Sequence, residues 1–314
     1  TNCDACDGSD GWGTWLLDII EEPNQEFFID GNGYITGSTA IVIPYQGGEI
    51  TKTVLFSVDM TEWLDEEGST GLNVFSVSRG DQMQVRGGFN AWSCEDPSNC
   101  IMTRSPGTNI FTLASNITGF PFTEMEYKYY LELSSSSVEH LENIYGELYD
   151  GIGWEDSPRF GGANRKFILD LEDETNLVEL DLEGYYDIPE GGVIPLNQEI
   201  TITFSVDMTA ALNQGFDPLE DTVYISIQDR WLTYLQGLED GYKTYASSHG
   251  DGIYFVNQSF TGPFPWHMLY TWGFYDVSLE AYVQEGGGFG FGRSRARYQH
   301  ADIDNDCQWN DYTF

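Results

Sequence analysis

The pentapeptide Phe56-Ser57-Val58-Asp59-Met60 occurs a second time, unchanged, as Phe204-Ser205-Val206-Asp207-Met208. A recurrence at that separation signals two copies of one structural plan, so any fold for this chain has to be built twice. The copies extend beyond the pentapeptide. Thr51 to Leu55 and Thr201 to Thr203 lead in as strand-like runs, and Asp81 to Val85 faces Asp221 to Ile225 downstream. Thr118-Gly119 through Tyr129 aligns without gaps to Thr261-Gly262 through Trp272. Each copy closes on an Arg-aromatic strand, Asn164-Arg165-Lys166-Phe167 in one and Ser294-Arg295-Ala296-Arg297-Tyr298 in the other.

Runs such as Thr53 to Val58 alternate apolar and polar residues, which predicts strands with one buried and one wet face. Gly, Pro, Asn and Asp turns separate them, and long Ala/Leu/Glu/Lys stretches of helical period are missing, so the fold class is all-β. Short helical turns are expected at Thr61 to Glu66 and Thr209 to Asn213. The chain of 314 residues divides into an N-terminal arm (1–48), a first immunoglobulin-like β-sandwich (49–183), a linker (184–198) and a second sandwich (199–314). In the arm, Glu26 to Ile29 and Tyr34 to Thr36 read as a β-hairpin around Asp30-Gly31-Asn32-Gly33.

Beyond the hairpin, Ser38, Thr39, Ala40, Ile41, Val42, Ile43 and Tyr45 belong to an uncharged, strongly β-prone run. Val42-Ile43-Pro44 repeats as Val193-Ile194-Pro195, and Gly33-Tyr34 stands before it as Gly184-Tyr185 stands before the second. The arm therefore matches the segment between the repeats. A free strand of this kind needs a partner. It either closes the first sandwich of its own chain or completes a sheet in a neighbour, as donor strands do, and a head-to-tail contact of the second kind propagates into a filament.

Charge narrows the partners. The 13 Lys and Arg are far outnumbered by 51 Asp and Glu, for a net charge of −38. Nucleic-acid binding requires a basic footprint, and an anionic membrane repels such a surface. Membrane insertion is not expected either, because no apolar run approaches the roughly 20 residues of a spanning helix. Residue 1 is Thr and no signal-like stretch follows it, the expectation for a processed, exported chain at the cell surface or outside the cell. Cys94 and Cys100 bracket a short polar loop and read as a disulfide, which agrees with that location. One of Cys3 and Cys6 can bridge Cys307, leaving the third free or paired between molecules.

Phe56 to Met60, Phe89-Asn90-Ala91-Trp92, Glu126-Tyr127-Lys128-Tyr129-Tyr130 and Ala163 to Phe167 together resemble the starch-binding-like β-sandwiches. These are the carbohydrate-binding modules of families 20 and 48 and the SusE/SusF-type surface proteins. The resemblance covers about residues 50–175, and 199–300 more weakly. It implies a glycan site of Trp92, Lys128, Trp154 and Asn164, with indoles stacking on a sugar's C–H face and the polar pair bonding its hydroxyls. The alternative is that these are packing features: Trp92 a packed corner and Arg165 a contact from strand to carboxylate. The second copy departs from the pattern, with Thr271 in place of Lys128 and Ser294 in place of Asn164, while Trp231 stands as a replacement for Trp92 in a context, Gln228-Asp229-Arg230, that lacks the turn. The chain also resembles, as a type, bacterial extracellular fibrils of immunoglobulin-like subunits.

Other motifs are sparse. The four His have no metal or catalytic spacing, Ser247-Ser248-His249-Gly250 is no nucleophile elbow, and no phosphate loop occurs, so no catalytic residues are expected. Asp302, Asp304 and Asp306 alternate as oxygen ligands for Ca2+ do, although Cys307 occupies the glycine position of an EF-hand loop. No cofactor is required. Sequons stand at Asn116 and Asn257, near turns. Trp12, Trp15, Trp63, Trp231, Trp266, Trp272 and Trp309 exceed what two small cores need, and exposed ones would serve sugars or subunit contacts.

The expectation is a non-catalytic, secreted subunit of an extracellular filament, joined to copies of itself partly through the arm. The alternative is a glycan-binding surface protein, and a third reading is the binding part of a larger glycoside-processing enzyme.

Overall fold

Alternation does what the sequence predicts. In the strand Ile50–Asp59 the side chains of Val54, Phe56 and Val58 are fully buried, and in Glu199–Asp207 those of Ile200, Ile202, Phe204 and Val206 are. Asp59 and Asp207 then end their strands identically. Each carboxylate accepts the backbone N–H two residues on, Thr61 at 2.9 Å and Thr209 at 2.8 Å, and the turn drops Met60 and Met208 into the two cores. The repeated motif is thus an inward-facing strand with its own terminator.

The computed structural model describes residues 48–156, 164–170, 175–285 and 295–298, and the backbone of 28–29, 35–36 and 306–311. The arm holds the predicted hairpin, β1 (Phe28–Ile29) and β2 (Ile35–Thr36), paired Phe28 to Thr36 and Ile29 to Ile35. The first sandwich contains β3 (Ile50–Asp59), β4 (Gln82–Gly87), β5 (Thr103–Arg104), β6 (Ile110–Gly119) and β7 (Glu124–Glu132). After them come α1 (Ser135–Tyr145), β8 (Arg165–Ile168), β9 (Leu177–Glu179) and β10 (Glu183–Gly184). One sheet has the order β10-β3-β6-β5, with β9 also on β3, and the other β4-β7-β8.

Next, β11 (Val193–Ile194) leads to β12 (Glu199–Asp207), β13 (Thr222–Ile227), α2 (Arg230–Leu235), β14 (Lys243–Tyr245) and β15 (Ser247–Gly250). The rest is β16 (Ile253–Thr261), β17 (Phe264–Pro265), β18 (His267–Asp276), β19 (Ala281–Gln284), β20 (Arg295–Tyr298) and β21 (Asp306–Asp311). The second pair of sheets is β15-β16-β12-β21 and β14-β13-β18-β19, with β20 on β18. Each copy thus sets β3 or β12 between an antiparallel partner (β6, β16) and a parallel one (β9 and β10, β21). The fold is all-β, two packed sandwiches in tandem.

The Arg-aromatic strands are structural in both copies. Arg165 is buried and grips Glu155 with two nitrogens at 2.6 and 2.8 Å, and Asp187 at 3.0 Å. Arg295 grips Glu285 in the same manner at 2.5 and 2.8 Å. The two carboxylates also accept backbone N–H groups at matching places, Tyr129 and Trp272.

The sequons stand near turns, inside strands that end at Gly119 and Thr261. Asn116 and Asn257 lie in β6 and β16, exposed, and accept the hydroxyls of Thr53 and Thr203 at 2.8 and 2.7 Å across the sheet. The tryptophans Trp63, Trp231 and Trp272 are not surface platforms but fully buried.

Candidate functional site

On β7 the inward residues are Tyr127, Tyr129 and Leu131, which leaves Glu126, Lys128, Tyr130 and Glu132 on the outer face. Across the sheet, Lys128 is paired with Arg86 and Tyr130 with Gln84. Trp154 bridges back to Tyr130 through its backbone, and its ring meets the Tyr130 ring edge-on at 4.8 Å. Trp92 comes from the turn after β4, where Ala91 and Trp92 both take left-handed backbone angles (φ 54° and 58°). That turn swings the half-buried indole to 6.2 Å from Trp154, at 57° to it.

The Arg86 guanidinium lies 3.7 Å from the Tyr130 ring centre and 5.2 Å from that of Trp154, a cation–π stack that stiffens the platform. Lys128 Nζ contacts Asp156 at 3.1 Å, and Asn164 donates to Glu126 at 2.8 Å. All four residues implied by the starch-binding resemblance therefore belong to one face. Arg86 and Tyr130, not singled out from sequence, belong to it too. Their signal was available: they alternate with the inward residues of β4 and β7. The indoles form a bent surface rather than a flat one.

The second site is the junction between the sandwiches, and sequence reasoning missed it. Residues 184–188 are not a tether. Gly184 comes so close to the Ile188 carbonyl that an added Cβ would sit 1.8 Å from its oxygen, so only glycine fits. Tyr185 then inserts fully into the first sandwich, its hydroxyl donating to Gly153 O at 2.8 Å and its backbone carbonyl accepting from Trp63 Nε1 at 3.1 Å. Beyond it, Val193–Ile194 pair with Phe264–Pro265 of the second sandwich.

The second sandwich answers through α2. Asp229 caps that helix by accepting Leu232 N at 3.0 Å, and the helix sends Trp231 and Tyr234 into the first core and Leu232 into the second. Trp231, expected as a substitute for Trp92, is thus a junction residue with no surface. Tyr234 donates to Gly146 O at 3.0 Å, Tyr149 donates to Leu238 O, and Arg230 reaches the Asp150 and Gly151 carbonyls. Deep in the contact Asp229 Oδ2 is 3.4 Å from His267 Nε2, and Tyr186 stacks on the imidazole at 5.4 Å. Burial pushes the Asp229 carboxyl up to about 7 and the His267 imidazole down to about 3.

The Cys94–Cys100 disulfide is present, with a Cα separation of 5.4 Å. Other expected positions fall outside the described residues: Ser38 to Ile43 and Tyr45 of the arm, Cys3, Cys6, Asp302 and Asp304, and the side chains of Asp306 and Cys307. Among the described residues no three His, Cys, Asp or Glu side chains gather as a metal site.

The fold and these sites define an all-β chain of two sandwiches with aromatic surfaces. No family model matches it and no curated protein is matched by it. Among solved structures it is similar to a crystal structure of gamma-CGTase from alkalophilic Bacillus clarkii, at TM-score 0.23 and 8% identity over 93% of this chain. The match spans 33% of the length of that protein.

Proposed function

We propose that this chain is a non-catalytic structural subunit of an extracellular filament, polymerising head to tail with copies of itself. The observation that carries the reading is the junction. The segment that joins the two sandwiches, Gly184-Tyr185 to Val193-Ile194-Pro195, is written a second time at the front of the chain as Gly33-Tyr34 to Val42-Ile43-Pro44. A connector that cements one sandwich to the next inside the chain is thereby also available to cement one chain to the next. Such a contact is heterologous, and repeated it gives a fibre rather than a closed dimer. The acidic surface keeps such fibres apart from each other and from nucleic acid. Light scattering and negative-stain images of the full chain, beside a variant lacking residues 1–48, test this. Filaments that vanish with the arm support it, and monomers in both samples refute it.

A second reading is favoured by the outer face of the first sandwich. Trp92, Trp154, Tyr130, Arg86, Lys128 and Asn164 together suit a neutral glycan, with rings for its C–H faces and polar groups for its hydroxyls. The starch-binding resemblance points to an α-glucan. Glycan arrays on the parent and on Trp92→Ala test it, and equal binding by the two would dismiss this face.

A further inference from the structure

The alternation that buries Val223, Ile225, Trp272 and Phe274 turns every second residue of the β14-β13-β18-β19 sheet outward. Two rungs of that outer face are rich in tyrosine. Tyr245, Tyr224, Gly273 and Gln284 stand side by side across the four strands, and Thr222, Tyr275 and Tyr282 form the next rung. Tyr245 is 54% exposed and Tyr282 53%, and their hydroxyls meet at 3.3 Å. Tyr224 has no exposed surface although it belongs to the outer face, because the rings of Tyr282 and Tyr245 pack on it with centres 5.4 and 6.4 Å away. Gly273 makes room for this: a Cβ there would lie 2.4 Å from Tyr224 Cζ.

The first sandwich lays out the matching rung differently, with Gln84 on β4 and Tyr130 on β7. In the second the tyrosine has changed strands, to Tyr224 on β13, and glycine faces it from β18. The cation has changed strands too. Lys243 of β14 holds its Nζ 5.3 Å from the Tyr282 ring centre and 6.0 Å from that of Tyr224, where the first sandwich uses Arg86 of β4 over Tyr130. Among the rings lies a hollow of about 280 Å3 lined by Thr222, Tyr245, Tyr275 and Tyr282. The chain carries 51 Asp and Glu, yet neither rung contains one. Rings, hydroxyls, one amide and one ammonium suit a neutral ligand rich in hydroxyls, with the rings meeting its C–H faces and Gln284, Lys243 and the phenols bonding its oxygens. Two half-exposed rings around a small hollow fall well short of the roughly 800 Å2 per partner of a stable protein interface.

We infer that this tyrosine face of the second sandwich is a saccharide site in its own right, taking a sugar unit of a neutral glycan against Tyr245 and Tyr282. It depends neither on the filament reading nor on the face around Trp92, because every residue in it comes from the second sandwich. Anionic sugars are disfavoured, since a net charge of −38 repels them before contact.

The test uses the full chain carrying Trp92→Ala, which takes the first face out of play. Maltoheptaose, cellohexaose and mannohexaose are titrated into it by calorimetry. At least one is expected to bind, and adding Tyr282→Ala should weaken that binding about tenfold, while Tyr282→Phe, which keeps the ring, should hold it within about threefold. A second measurement needs no change in the second sandwich: the bound sugar should slow nitration of Tyr245 and Tyr282 by tetranitromethane, read from peptide masses. Failure of all three sugars to bind the Trp92→Ala chain overturns the inference, as does equal affinity with and without the Tyr282 ring, or nitration that the sugar leaves unchanged. Binding by the parent that vanishes in Trp92→Ala overturns it too, and leaves the first face standing.

Discussion

Trp63 of the first sandwich and Trp231 of the second meet edge to face, ring centres 5.3 Å apart, and neither has any exposed surface. Around them Tyr185, Tyr186 and Tyr234 complete an aromatic plug to which both halves of the chain contribute. The two sandwiches are therefore cemented rather than strung together, and a rigid two-sandwich unit follows from that contact.

Trp231→Ala empties the centre of the plug. Large-to-small changes at fully buried aromatics cost about 3–5 kcal/mol. The loss falls on the coupling between the halves, so guanidinium unfolding is expected to split from one transition into two. A single transition with an unchanged midpoint would show that the plug couples nothing.

The Asp229–His267 pair predicts an unusual pH response. Burial raises the Asp229 carboxyl to about 7 from 3.8, with Asp156 adding repulsion and the Leu232 N–H opposing. Burial lowers His267 to about 3 from 6.5, with Asp187 opposing. Between roughly pH 4 and 6.5 the folded pair holds its one proton on Asp229 and the unfolded pair holds one on His267, so the two slopes cancel. Removing one partner unmasks the other. In Asp229→Asn, the stability set by His267 is complete above pH 6.5 and falls as pH drops toward 3. In His267→Gln, the stability set by Asp229 is complete below pH 4 and falls as pH rises toward 7. Each slope approaches about 1.4 kcal/mol per pH unit, readable from denaturation midpoints across buffers.

The matched arginines form an internal control. Arg165 (3% exposed) and Arg295 (27%) make the same two-nitrogen grip on a glutamate. Arg165→Met strands the fully buried Glu155 and should cost about 3–5 kcal/mol. Arg295→Met acts at a partly buried pair (27% and 11% exposed) and should cost less, about 1–3 kcal/mol. Equal losses would mean that burial does not govern these pairs.

Much of this was legible in the sequence, and the reasons are local. Phe56, Val58 and Met60 alternate, and Asp59 followed by Thr61 marks a strand end. Cys94 and Cys100 enclose too short a loop for much else, and Arg165 reads as a carboxylate partner. What stayed hidden depends on contacts far apart in the chain. Nothing in the neighbourhood of Trp63 or Trp231 says that the two rings meet, so both looked like spare aromatics. The helix α1 was missed although its signals are present: Ser134 caps it by accepting Ser137 N at 3.2 Å, and Leu141 is buried from a helical turn. The run of four serines reads as a loop because serine favours caps and turns.

The aromatic face has its own prediction. Lys128→Ala removes a mostly buried side chain (13% exposed) whose ammonium meets Asp156 at 3.1 Å, so a small loss of stability is expected and the binding assay is run on folded protein. If the face takes a glucan, the same change weakens binding about tenfold, or about 1.4 kcal/mol, by titration calorimetry. Unaltered affinity would take Lys128 out of the site.

In the proposed filament the contact between chains repeats the contact within a chain. Image reconstruction of the assembled protein tests it most directly, through the spacing of successive sandwiches along the fibre. The prediction is one uniform spacing, the step from second to first sandwich between neighbours equalling the step from first to second within a subunit. Alternating long and short steps, or a preparation that stays monomeric, would contradict it.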